Sequence, residues 1–177
     1  MFTICACGYI PCCALEDLSS GDRLKKIIDL IDSCTFSIHD ISLTELDHDN
    51  MPRFNMPFEL GLAYARKYQK KPSMLVMDRE LHRFKSFLSD LKGCDAAAHA
   101  GDPLEVITQV RHWLSSNERL PLNGPIHMRN WYAGFQSDLP GLCAKAGFHR
   151  NALTSPDFVF CSLYWLDNYV PLRGLTF

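Results

Sequence analysis

Arg53-Phe54-Asn55-Met56-Pro57-Phe58-Glu59-Leu60-Gly61-Leu62-Ala63 is the stretch that decides the fold. It reads as a tight loop breaking into a helix, with Asn55 as N-cap and Pro57 in the first turn, where a missing N–H costs nothing. Glu59 is then expected in that first turn, where the positive end of the helix dipole favours an ionised carboxylate. Upstream stands Thr35-Phe36-Ser37-Ile38-His39-Asp40-Ile41-Ser42, a strand-like run that closes in polar residues. A carboxylate entering a helix just past a strand's C-terminal edge is where open α/β sheets hold ligands.

The same alternation continues along the chain. Met1 to Cys7 is expected as a first strand, 20–33 as a helix and 35–41 as strand two. The Glu59 helix is followed by a short buried strand at Ser73–Asp78. Glu80–Leu91 is expected to be helical, with Leu81, Phe84, Phe87, Leu88 and Leu91 in its apolar stripe. A weaker strand at 94–98 and a helix from Asp102-Pro103 to about Ser116 complete the pattern. Strands alternating with helices imply a parallel sheet, here four strands in flavodoxin-like order. Pro121, Asn123, Gly124 and Pro125 mark a linker. The expected organisation is therefore an α/β domain over 1–117 and a helical C-terminal extension over 126–177.

A Phe-Glu-Leu-Gly helix start after a strand ending in Asp-x-Ser resembles the nucleoside 2-deoxyribosyltransferase and nucleotide N-glycosidase group. It is also similar to bacterial TIR-like proteins, which share a flavodoxin-like fold. The resemblance covers roughly residues 1–115. It implies that Glu59 acts on an N-glycosidic bond, with NAD as a substrate rather than a cofactor. It further implies self-association into a homo-oligomer and a role in antiphage signalling.

Carboxylate chemistry suits that reaction, because positive charge develops at the anomeric carbon as the C–N bond breaks and a fixed anion stabilises it. Around Glu59 the expected substrate-binding residues are Asp40 and Ser42 at the end of strand two, Arg53 and Asn55 before the helix, and Tyr9 on the first loop. Asp40 suits ribose hydroxyls, Ser42 a hydroxyl or phosphate, Arg53 a phosphate or Glu59 itself, and Tyr9 a base. The competing expectation is local: Asp40 and Ser42 cap their own loop, and Tyr9 packs. His39 alternates to the other face of its strand and is expected to be a satisfied buried histidine.

Composition limits the alternatives. With 177 residues the chain can bury a real core. A formal net charge of -2 offers no basic field for nucleic acid, and no apolar run approaches the ~20 residues that span a bilayer. The eight cysteines contain no Cys-x-x-Cys pair, so reduced thiols in a cytoplasmic protein are expected and a zinc site is not. Glu45, Asp47, His48 and Asp49 lack calcium-loop spacing. No metal is expected. A protein with this fold but no turnover, serving as a nucleotide sensor or self-assembly module, is the rival expectation.

Overall fold

The computed structural model describes residues 1–13, 22–44, 51, 53–70, 73–89, 95–118 and 122–170. The acidic segment 45–50 and Cys94 lie outside them. The chain forms two compact units, one of residues 20–109 and one of residues 1–19 with 110–177. The break expected at the 117–126 linker thus falls earlier, within a helix, and the N-terminus belongs with the C-terminal helices.

The unit of residues 20–109 is α/β. It contains α2 (Arg23–Ser33), β1 (Phe36–Asp40), α3 (Asn55–Lys70), β2 (Ser73–Asp78), β3 (Ala97–Ala98) and the first half of α4 (Pro103–Glu118). Its three-stranded sheet has the order β1-β2-β3. Phe36 pairs with Ser73 and Asp40 with Met77 in parallel, and Asp78 pairs with Ala98, also in parallel. Because β1 and β2 are parallel they need a crossover, and α3 supplies it. Met56, Leu60 and Ala63 recur at helical spacing in α3. Leu60 is buried in one cluster with Ile41, Val76, Phe84 and Ala96, and Met56 packs against it. Asp22 starts α2 by accepting the Lys25 backbone N–H at 3.1 Å. Arg66 of α3 pairs with Asp32 of α2 at 3.2 Å.

Three expectations are corrected here. Residues 2–6 form a helix, α1 (Phe2–Ala6), not a strand. A short apolar run is compatible with either state. Its partners decide: Phe2 stacks on Phe135 at 4.9 Å and lies 6.1 Å from the Trp165 ring, and among the described residues no strand pairs with it. The sheet therefore has three strands among the described residues, with β1 and β2 paired directly. Second, the described part of the expected 80–91 helix, residues 80–89, contains no α-helix; a 3₁₀ turn forms at Arg83–Ser86, entered through His82 at φ 64°. Of the described residues of the expected stripe Phe84 alone is fully buried, while Leu81 and Phe87 are exposed and Leu91 lies outside the described residues. Third, His39 is not satisfied, for its Nε2 is buried with no hydrogen-bond partner.

That last finding has a measurable consequence. Burial pushes the His39 imidazole down from 6.5 to about 4, so the unfolded chain binds this proton more tightly than the folded one. His39 therefore supports stability above about pH 6.5, and the support is lost as pH falls toward 4, by at most ~1.4 kcal/mol per pH unit. Between pH 7 and pH 5, His39→Leu should lose less melting temperature than wild type. Equal losses in the two proteins would exclude His39 as the sensitive group.

The second unit is helical: α1, the rest of α4, α5 (Pro125–Ala146) and α6 (Ser155–Tyr169). Gly147, at φ 75°, ends α5 in the left-handed conformation that glycine adopts without strain. A reciprocal cap starts α6: Thr154 Oγ1 accepts from Asp157 N, and the Asp157 carboxylate accepts from Thr154 N. Phe135 is fully buried among Phe2, Phe158 and Trp165, and Trp165 donates its indole N–H to Asp138 at 2.8 Å. The tryptophan is part of the core. No helix among the described residues is long and apolar enough to cross a membrane.

Candidate functional site at the carboxyl edge of the sheet

Parallel strands end on one side, and here each ends in a polar side chain. Asp40 closes β1, Asp78 closes β2, and His99 directly follows β3. His99 N–H donates to the Asp78 carbonyl at 3.1 Å, which holds β3's exit against the end of β2.

Asp40 is built as an oriented carboxylate. Its Oδ1 accepts from the Ser42 hydroxyl at 2.6 Å and the Ser42 backbone N–H at 3.0 Å. His99 Nε2 lies 3.4 Å from the same oxygen. The tautomer follows from the other ring nitrogen, because His99 Nδ1 accepts the Gly101 backbone N–H at 3.1 Å. A neutral ring accepting at Nδ1 carries its proton on Nε2, so His99 donates to Asp40. The turn that makes this possible has Ala100 at φ 51° and Gly101 at φ 73°. Ser42 and His99 are buried, whereas the Asp40 side chain is 48% exposed.

Asp78 is different. It is completely buried, and its Oδ1 accepts from Arg79 N at 2.7 Å and from Arg83 Nε and Nη2 at 3.0 and 2.6 Å. Arg83 Nη2 also reaches the carbonyls of Ile41 and Ser42 at 3.1 and 3.2 Å. One guanidinium thus ties the exit of β1 to the end of β2. It also lies over the Phe87 ring at 5.3 Å. With Nε and Nη2 so engaged, Arg83 clamps the two strand ends together.

Of the residues expected from sequence, Asp40 and Ser42 are brought together. Arg53 and Asn55 are exposed at the entrance to α3. Asn55 is not the N-cap. Phe58 N–H bonds the Phe54 carbonyl at 3.0 Å, so Phe54 occupies the cap position and Asn55 is the first helical residue. Glu59 then falls past the first turn, which contains no acid, and the dipole contribution expected for it is small because that effect fades within a turn. Glu59 is half-buried. Burial raises its pKa from the ordinary value, and the nearby Arg23 guanidinium only partly opposes that rise. Among the described residues no hydrogen bond or ion pair joins Glu59 to Asp40 or Ser42. Tyr9 belongs to the helical unit, where burial and a hydrogen bond to the Glu118 carboxylate raise its phenol pKa.

Asp78, Arg83 and His99 escaped the sequence analysis as site residues. Asp78 carried a signal, since it ends an apolar run as Asp40 does. Arg83 and His99 carried none: one sits in a segment of helical periodicity, the other follows three alanines with little strand propensity.

Among the described residues, no group of three or more His, Cys, Asp or Glu side chains is placed to hold a metal ion. The described cysteines Cys5, Cys7, Cys12, Cys13, Cys34, Cys143 and Cys161 form no disulfide. In comparisons with family models, curated proteins and solved structures, nothing matches this chain.

Proposed function

We propose that the carboxyl edge of the sheet binds a nucleotide and that the protein cleaves its N-glycosidic bond, with NAD as the first substrate to test. The observation that carries this reading is the oriented Asp40 carboxylate at the end of a parallel strand, the position where α/β sheets bind ligands. The surroundings suit a base and sugar. Leu43, Phe54 and Phe58 on the way from β1 into α3, and Leu81 and Phe87 after β2, are exposed apolar side chains. Ligand sites pair such surfaces with a few oriented polar groups.

In this scheme Asp40 receives sugar hydroxyls, and Glu59 stabilises or attacks the cationic anomeric carbon as the base leaves. A carboxyl whose pKa is raised by desolvation can also transfer a proton closer to neutral pH. The finer fold assignment, flavodoxin-like and TIR-like, rests on the parallel strands and the α3 crossover. The β1-β2-β3 order departs from flavodoxin-like order, in which the first strand lies between the second and the third. Incubation of the protein with NAD and a nucleoside panel, followed by chromatography, tests the activity. Base release is the expected result, and intact substrates across the whole panel would refute it.

One observation favours a module without turnover. Phe160, Tyr164 and Tyr169 are exposed along α6, a surface suited to self-association. Light scattering with and without NAD separates the two: nucleotide-dependent assembly without products supports the module.

A further inference from the structure

We propose that Asp40 recognises the ribose 2′-hydroxyl and that His99 is its positioning residue, so that the site prefers ribonucleotides to 2′-deoxyribonucleotides. This rests on the nucleotide reading above and goes beyond it by naming a residue, His99, and a substrate class. All hydrogen bonds given to Asp40 by described residues converge on Oδ1, two from Ser42 and one from His99. Three donors on one oxygen fix the plane of the carboxylate, which leaves Oδ2 as an acceptor on a half-exposed side chain. Acceptor-only chemistry selects a partner with O–H or N–H donors, and a sugar hydroxyl at a sheet edge is such a partner.

His99 is the only one of the three donors brought from another strand. It is buried, its Nδ1 is occupied by Gly101 N–H, and its Nε2 has a single orientation toward Asp40. The imidazole therefore transmits the geometry of the 99–102 turn to the carboxylate. That turn is itself fixed by Asp102 N–H on the His99 carbonyl at 2.8 Å and Ala100 N–H on the Arg79 carbonyl at 2.8 Å.

Two amides divide the functions of this ring. In His99→Asn the shorter side chain can still accept from Gly101 but cannot reach Asp40. In His99→Gln the amide nitrogen takes the place of Nε2 and can still donate to Asp40. Binding of the four ribonucleoside monophosphates and their 2′-deoxy counterparts is measured by calorimetry for wild type, Asp40→Asn, His99→Asn and His99→Gln, with melting temperatures as a folding control. Wild type should bind at least one ribonucleotide about tenfold more tightly than its deoxy form, the ratio one charge-assisted hydrogen bond supports. Asp40→Asn and His99→Asn should lose that preference, and His99→Gln should keep most of it. A purely structural histidine gives the opposite order, with Asn tolerated and Gln harmful. That order, a preference surviving Asp40→Asn, or a wild type without ribose preference would overturn the proposal. If His99→Asn does not fold, the exposed Asp40→Asn variant still decides it. Because the readout is binding, ribose preference in a protein that releases no base refutes the glycosidase activity and leaves this inference standing.

Discussion

Arg83→Ala is expected to unfold the α/β unit at a much lower temperature than wild type, with a loss of about 3–5 kcal/mol. The reason is what it leaves behind. Asp78 is fully buried, one of its oxygens already lacks a partner, and Arg83 supplies two of the three hydrogen bonds to the other. Removing the guanidinium strands a buried carboxylate, which costs far more than a lost surface pair. The carbonyls of Ile41 and Ser42 lose a donor in the same step. A drop in melting temperature of roughly 10 °C or more should follow by circular dichroism. Asp78→Leu/Arg83→Met should recover part of the loss, because it removes the stranded charge, but not all, because the two carbonyls stay unserved. A single mutant melting within about 2 °C of wild type would show that the clamp contributes little. The site would feel the same change: Arg83 holds the Ser42 carbonyl, and Ser42 holds Asp40.

The second large effect is expected in chemistry rather than stability. Glu59→Gln keeps size and hydrogen-bonding capacity while removing the charge. If Glu59 stabilises a cationic transition state, base release should fall about 10²-fold or more. Stability should move the other way or not at all. Folding raises the pKa of Glu59, so its favourable contribution belongs to the protonated form: present below about 4.5 and lost as pH rises through the raised value. At neutral pH the ionised carboxylate is held in a partly desolvated place, with Arg23 as a partial remedy and no acid position in the first helical turn. The mutant should thus melt at or slightly above the wild-type temperature, and the gap should widen from pH 4 to pH 7. Wild-type turnover in a folded Glu59→Gln protein would remove Glu59 from the reaction.

These two predictions also mark where sequence and structure part. The α2, β1, α3, β2, α4, α5 and α6 segments were legible because each carries a long periodic pattern or a local start signal, such as Asp22 on Lys25 or the Thr154–Asp157 cap. Residues 2–6 were not, since five residues hold too little periodicity to choose between states. The choice was made by Phe135 and Trp165, more than 120 residues away in sequence. Residues 80–91 failed for the complementary reason. Their helical periodicity is real, but His82 enters the left-handed region, and Arg83 is committed to Asp78 and two carbonyls of the β1 exit.

By itself the sequence determined the alternation of strands and helices from β1 to α4, the helical character of Pro125–Ala146 and Ser155–Tyr169, and that Asp40 and Ser42 lie where β1 ends. Each of these follows from interactions between near neighbours in the chain: spacing, capping and turn chemistry. Only the tertiary structure decided that the N-terminus joins the helical unit, that Asp78 is clamped by Arg83, and that His99 reaches Asp40 across the sheet. The Asp78–Arg83 and Asp40–His99 pairs join residues 5 and 59 positions apart and the Phe2–Phe135 stack residues more than 120 apart, and such contacts depend on the packing and register of whole elements, which no local pattern encodes.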